Sequence, residues 1–292
     1  MIENMAETTP VNRAPSFEGE RHTPGSMLEV DFSELTDPGK VRDQNEDFHG
    51  HFAPANPAQA RSHGWLFVLA DGVGGHVRGE VASRTAVACM LAGFREARAG
   101  APHDTLLERL TQQANLRVYE AGRTAAPGGV RMATTVVACA LRYDRAVIAH
   151  VGDSRCYLIR RGSAYLLTRD HTVANEHLRL GLISSGEAAQ TSNRHMLLRS
   201  LGHELIANVD IHHAQVVPGD ALLLCCDGLH GAVEAEDMAR IVTQNRDVRE
   251  ATRQLVALAN ERDGSDNISV QVIRIRGVER VGMYRGRPYK LR

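Results

Sequence analysis

The chain has 292 residues, 43% of them hydrophobic, and 34 basic against 35 acidic side chains for a formal net charge of −1. That apolar content excludes a globally disordered chain, and the near-zero charge leaves no electrostatic footprint for nucleic acid or an anionic membrane. No run reaches the roughly 18 apolar residues that a membrane-spanning helix needs, and the first residues lack the continuous apolar stretch of a secretory signal, so a cytoplasmic protein is expected.

Residues 1–26 are polar and read as a disordered N-terminal tail, 27–278 as one domain, and 279–292 as a short basic C-terminal tail. Within the domain, strands are expected over 28–35, 65–70 (WLFVLA), 132–141, 146–151, 156–159, 209–217 and 221–226 (ALLLCC). A last strand begins at Ile268, where Ile268, Val270 and Val272 alternate with Ser269 and Gln271. Four helical patterns interrupt the strands. Val81, Thr85, Ala88, Cys89 and Ala92 share one face of the first, and Leu107, Leu110, Ala114 and Val118 one face of the second. Met238, Ile241 and Val242 mark the third; Val248, Ala251, Leu255 and Ala259 mark the fourth. Helices thus come as two consecutive pairs rather than one after each strand. An α+β arrangement of antiparallel sheets with helices on their outer faces follows. The five cysteines, Cys89, Cys139, Cys156, Cys225 and Cys226, sit in apolar runs without a CxxC pair and read as reduced core residues.

Three apolar strands run into an aspartate: 65–70 into Asp71-Gly72, 146–151 through Gly152 into Asp153, and 221–226 into Asp227-Gly228. Asp266 instead opens the final strand. Any one Asp-Gly is an ordinary turn signal, because both residues tolerate positive φ. Several acids gathered at one rim of a sandwich repel each other unless a cation offsets the crowding, and oxygen ligands without His or Cys select Mg²⁺ or Mn²⁺. Upstream, VRDQNED places Arg42 beside Asn45, Glu46 and Asp47, and a guanidinium fork near metal ligands suits two phosphate oxygens. The glycine-rich turn DGVGGH does not complete a dinucleotide fingerprint, since Val77 stands at its third glycine position, and the phosphate-loop pattern is absent.

The segments VRDQNED, VLADGVGGH, MATTVVACAL, HVGDSRCYLIR, LTRDHTV, LLLCCDGL and SDNISV stand in that order. The chain there resembles the metal-dependent protein phosphatases of type 2C, bacterial branch. The resemblance implies an antiparallel β-sandwich flanked by pairs of helices in four αββα layers. It also implies a protein-serine/threonine phosphatase working through two Mn²⁺ or Mg²⁺ ions. By resemblance, Asp71 bridges the two ions, the Gly72 carbonyl ligates one, and Asp227 and Asp266 ligate the other. Glu46 and Asp47 match acids that hold metal-bound water, Arg42 matches the phosphate-binding arginine, and Asp153 matches the ligand of a third ion. The segment 172–208 matches a mobile flap beside the site. Where animal members carry a histidine as general acid, this chain has Val73; His76 is the nearest candidate acid. The expected partners are phosphorylated proteins, including a separate Ser/Thr kinase and its substrates, with the phosphatase itself a monomer. A catalytically inactive phosphoprotein-binding relative is the alternative.

Overall fold

The computed structural model describes residues 28–73, 78–191, 195–278, 281–284 and 287–290. Strand β1 (Leu28–Asp37) leads to β2 (Phe48–Phe52), the short helix α1 (Pro57–Ser62) and β3 (Trp65–Ala70). Helices α2 (Gly79–Arg95) and α3 (His103–Thr124) precede β4 (Val136–Arg142), β5 (Arg145–Val151), β6 (Arg155–Arg160) and β7 (Ser163–Leu166). After α4 (Val173–Arg179) and α5 (Ser185–Gln190) come β8 (Asp210–Gln215), β9 (Ala221–Cys225) and α6 (Asp227–His230). The pair α7 (Ala235–Gln244) and α8 (Val248–Arg262) then leads into β10 (Ile268–Val278). Beyond it, where a tail was expected, β11 (Val281–Tyr284) and β12 (Arg287–Lys290) pair as an antiparallel hairpin.

One sheet has the order β1-β10-β9-β6-β7 and the other β2-β3-β4-β5-β8, every neighbour antiparallel. The sheets stack face to face, with α2 and α3 on the outside of the second and α7 and α8 on the outside of the first. The architecture is the α+β sandwich that the helix pairing indicated.

The continuous apolar strands follow from this layering, because a strand covered on both sides must be apolar at every position. In β3, Leu66, Val68 and Ala70 pack under α2 and α3, while Trp65, Phe67 and Leu69 face the other sheet. Strand β9 divides likewise: Leu223 and Cys225 face α7 and α8, Leu222 and Leu224 the sheet interface. Each Leu, Val or Phe among them taken from water contributes about 1.5–3 kcal/mol. Phe32 from β1 meets Phe67 edge-on at 5.3 Å between centroids and so ties the two sheets together.

Helix α2 turns a different face inward from the one expected. Ala82, Ala86, Val87, Met90 and Phe94 are buried, whereas Ala88 and Ala92 are exposed. Alanine and cysteine tolerate either environment, so bulky Met90 and Phe94 fix the orientation. All five cysteines are unpaired, and only Cys89 is not buried.

The antiparallel pairing sends the ends of β1, β3, β5 and β9 and the starts of β2, β6 and β10 to one rim. The opposite rim is closed by tight turns, with positive φ at Tyr143 between β4 and β5 and at Arg161 and Gly162 between β6 and β7.

Candidate metal centre and substrate pocket

Asp71 leaves β3 where the main chain is held from two sides. Its N–H donates to Thr135 Oγ1 (3.0 Å), and its carbonyl accepts from the Thr135 N–H and the Thr134 hydroxyl (both 2.8 Å). That service accounts for β4 beginning only at Val136: Thr134 instead bridges Gly72 on one side and Leu201 on the other. The Gly72 N–H reaches the Glu46 carbonyl at 3.2 Å. A Cβ on Gly72 would lie 2.5 Å from the Gly79 backbone and 2.7 Å from the Glu46 carbonyl, so the close approach of these segments requires glycine.

On the other sheet, Asp227 opens α6 directly after β9, and Asp266 lies two residues before β10. Asp266 Oδ2 accepts from Arg42 at 2.8 Å. Beside it Asn267 works as a clip. Its amide donates to the carbonyls of Pro38 (3.0 Å) and Gln44 (2.9 Å), and its oxygen accepts the Glu46 N–H (2.8 Å). The segment carrying Arg42, Glu46 and Asp47 is thereby fixed to the start of β10.

Asp153, only 5% exposed, sits on a turn held through its neighbours. Gly152 has φ +112°, and a Cβ there would press within 2.6 Å of the Thr135 side chain. Its carbonyl accepts from His150 Nε2 (2.8 Å), its N–H donates to His171 Nδ1 (3.2 Å), and His230 Nε2 donates to the Asp153 carbonyl (3.0 Å). Arg155 does not pair with Asp153; its guanidinium grips Asp170 through two bonds of 2.9 and 2.7 Å.

A cavity of about 520 Å³ opens on this rim, lined by Arg42, Glu46, Asp71, Gly72, Val73, Asp153, Asp227 and Asp266. Asp47 lies beneath it, 6% exposed. Desolvation and crowding act together on these acids. Burial first, and then the charges of Asp47, Asp227, Asp153 and Asp266, hold the Asp71 carboxyl well above the usual carboxylate range. Burial, then Asp227 and Asp170, does the same to Asp153, and burial, then Glu80, raises Glu46. Asp47 is pushed up to about 6, by burial first and by Asp227 and Asp266, against the opposing Ser269 and Cys226 side chains.

The residues fit a divalent cation. Both Asp47 oxygens are buried and, among the described residues, have no hydrogen-bond partner, an arrangement that a protein sustains where an ion or its water completes it. Donor atoms of Asp47, Asp71 and Cys226 lie within 4.8 Å of one another, as do those of Asp153, His195 and Asp227. The oxygen set is therefore flanked by a thiol and an imidazole. Cys226 Sγ is engaged already, accepting the Ser269 N–H (3.0 Å) and donating to the Asn267 carbonyl (3.3 Å).

The crowding sets a pH dependence. A carboxyl whose folded pKa is raised favours the folded state in its protonated form, so that contribution is present at low pH and is lost as pH rises from the unfolded value through the folded one. For Asp47 the window runs from 3.8 to about 6. Chelator-treated protein should show a falling Tm across that window, and a divalent cation should restore Tm at pH 7. A Tm of the chelated protein that rises steadily from pH 4 to 7 would contradict this account of the cluster.

A family model described as protein phosphatase 2C matches residues 43–269. The serine/threonine phosphatase stp of Listeria monocytogenes is 34% identical over 243 residues, covering 82% of this chain and 93% of that protein. The chain belongs to the protein phosphatase 2C family. Among solved structures, the S. agalactiae serine/threonine phosphatase superposes with a TM-score of 0.77 at 31% identity, covering 84% of this chain and 99% of that one. The catalytic domain of the phosphatase PstP in complex with two manganese ions gives a TM-score of 0.70 at 30% identity, covering 85% and 98%.

In this phosphatase 2C domain, the site residues expected from sequence, Arg42, Glu46, Asp47, Asp71, Gly72, Asp153, Asp227 and Asp266, all gather at the rim; His76 lies outside the described residues. The segment 172–208 contains α4 and α5 and is rooted by pairing of Thr172 with Leu197 and by a bond from the Val173 N–H to the Met196 carbonyl (2.9 Å). It brings His195, Met196, Leu197, Ser200 and His203 to the pocket. Sequence reading did not single out these five, nor Arg131, Thr135, Asn267 and the supporting histidines 150, 171 and 230. For Asn267 and Thr135 the available signal was their place inside conspicuous blocks, SDNISV and MATTVV. For Arg131 there was none.

Proposed function

We propose that this protein is a metal-dependent phosphatase that hydrolyses phosphoserine and phosphothreonine in other proteins. The observation that carries the reading is the gathering of five aspartates from two sheets around one pocket with Arg42 at its wall. Asp71 and the Gly72 carbonyl would hold the ions from the β3 side, Asp227 and Asp266 from the β9–β10 side, and Asp153 a third. Two Mn²⁺ or Mg²⁺ ions bound there would lower the pKa of water and offset phosphoryl charge. Glu46 and Asp47 orient water by accepting its hydrogen bonds. Arg42 spends one nitrogen on Asp266, and the rest of its fork is available to two phosphoryl oxygens. Phosphoryl transfer asks mainly for positioning and charge stabilisation, which fixed carboxylates and a guanidinium supply. Val73 has no proton to give a leaving group; the histidines lining the pocket among the described residues are His195 and His203. On this reading the substrates are products of a separate Ser/Thr kinase, with that kinase itself among them when phosphorylated.

Exhaustive chelation should abolish hydrolysis of a phosphothreonine peptide, and Mn²⁺ should restore it. In the same titration Asp153→Ala should need more Mn²⁺ for half-maximal rate, because a site with fewer protein carboxylates keeps more water and binds less tightly. Undiminished activity after chelation would remove the metal reading. Tight phosphopeptide binding without turnover in Mn²⁺ would mark an inactive binding relative.

A further inference from the structure

Arg131 lines the same pocket as Arg42, from the segment that leads into β4 rather than from the 38–47 loop. The two arginines differ in their engagements. Arg42 is committed to Asp266 at 2.8 Å. Arg131 is exposed and, among the described residues, has neither an ion pair nor a hydrogen bond from its guanidinium. Its backbone is nevertheless pinned on both sides. The Val130 N–H donates to the Gly122 carbonyl at 2.8 Å, Met132 is buried, and the Ala133 carbonyl accepts the Val73 N–H at 3.0 Å. A long, unengaged cationic side chain on a fixed backbone anchor, two residues from the main-chain contact that holds Val73, places an available anion-binding group in the pocket wall.

We propose that Arg131 determines specificity by pairing with an anionic side chain that flanks the phosphorylated residue. The preferred substrates are then phosphopeptides whose neighbouring residue carries a carboxylate or a second phosphate. The proposal rests on the phosphatase reading above and adds the class of phosphoprotein it favours. On that reading the acids of the pocket floor would be taken up by cations, and Arg42, already paired with Asp266, by the scissile phosphoryl group. Arg131 is the arginine left for a second anion. An exposed charge pair of this kind works over a Debye length, so its contribution must decline with salt.

The test uses the full chain with Mn²⁺ and four substrates: p-nitrophenyl phosphate and three phosphothreonine peptides with neutral, Asp/Glu or second-phosphothreonine flanks. The wild type should show a kcat/KM about tenfold higher for an anionic flank than for the neutral one, the scale of one charge-assisted contact. The advantage should shrink as salt rises from about 50 to 500 mM. Arg131→Ala should remove it, acting on KM, with p-nitrophenyl phosphate turnover and Tm unchanged, and Arg131→Glu should invert it. Loss in the carboxylate arm alone, or in the second-phosphate arm alone, identifies the anion read and supports the proposal. An advantage that persists in Arg131→Ala overturns it, as does an equal loss on p-nitrophenyl phosphate, which would place Arg131 on the scissile phosphoryl group. Failure of the wild type to turn over any substrate would instead overturn the phosphatase reading.

Discussion

Asp71→Asn should lower kcat on a phosphothreonine peptide by about a thousandfold or more, roughly 4 kcal/mol of barrier. Asp227→Asn, acting from the opposite sheet, should match it. The amide keeps the shape of the side chain but offers one weaker oxygen, so the centre loses charge without losing packing. The stability effect should have the opposite sign. Burial and four neighbouring carboxylates already disfavour the ionised Asp71 side chain. Deleting its charge should leave the chelated protein at neutral pH as stable as the wild type or more so. Measuring kcat at saturating Mn²⁺ and Tm in chelator for the same variants separates the two effects. A variant keeping more than about a tenth of wild-type kcat would show that Asp71 does not hold the catalytic ions.

The other large effect is expected at Asn267, which is not among the residues lining the pocket. Its side chain satisfies the carbonyls of Pro38 and Gln44 and the N–H of Glu46, and is itself 6% exposed. Asn267→Ala leaves those three main-chain groups without their partner in a part-buried setting, with Pro38 and Gln44 exposed, at about 1–3 kcal/mol for each that water cannot reach. Urea unfolding should therefore show a loss of about 1–3 kcal/mol. Arg42, Glu46 and Asp47 ride on the released segment, so kcat/KM should fall even at temperatures where the variant is fully folded. Asn267→Asp, which keeps the acceptor for Glu46 but faces two carbonyls with a carboxylate, should rescue little. An alanine variant with wild-type stability and activity would mean that the loop is held by other contacts.

The fold was legible where burial is two-sided. Strands β3, β4, β5 and β9 announce themselves as continuous apolar runs, and α3 and α8 by one apolar stripe. Strand β2 did not, because its sequence FHGHF turns two histidines toward the sheet interface, where hydrophobic patterning anticipates apolar residues. His51 Nδ1 lies 3.1 Å from Glu34 Oε1, and Gln271 Nε2 donates to Glu34 Oε2 at 2.8 Å. A polar network inside a sandwich finds its partners across strands and leaves no period in the chain. The site divided in the same way. Asp71, Asp153 and Asp227 stand at the ends of apolar strands and Asp266 before one, and were found for that reason, whereas Glu46 and Asp47 stood out as a charged cluster beside Arg42. The groups that position them, Thr135, His171 and Asn267, act on main-chain atoms far away in sequence, and such contacts have no local signature.

The sandwich has two unlike ends. Every acid of the centre lies on one rim, and the turns of the other rim, at Tyr143–Asp144, Arg161–Gly162 and Val217–Asp220, are a full strand length from it. Loop closure grows only slowly more costly with length, by about 0.6 kcal/mol per doubling. The far rim is therefore where a chain of this architecture can acquire added material, such as a tether, a reporter or a second domain, without disturbing its chemistry. The part of the near rim around Gly72 has no such latitude. There Gly72, Gly79 and Glu46 pack backbone against backbone, and even a methyl group on Gly72 has nowhere to go.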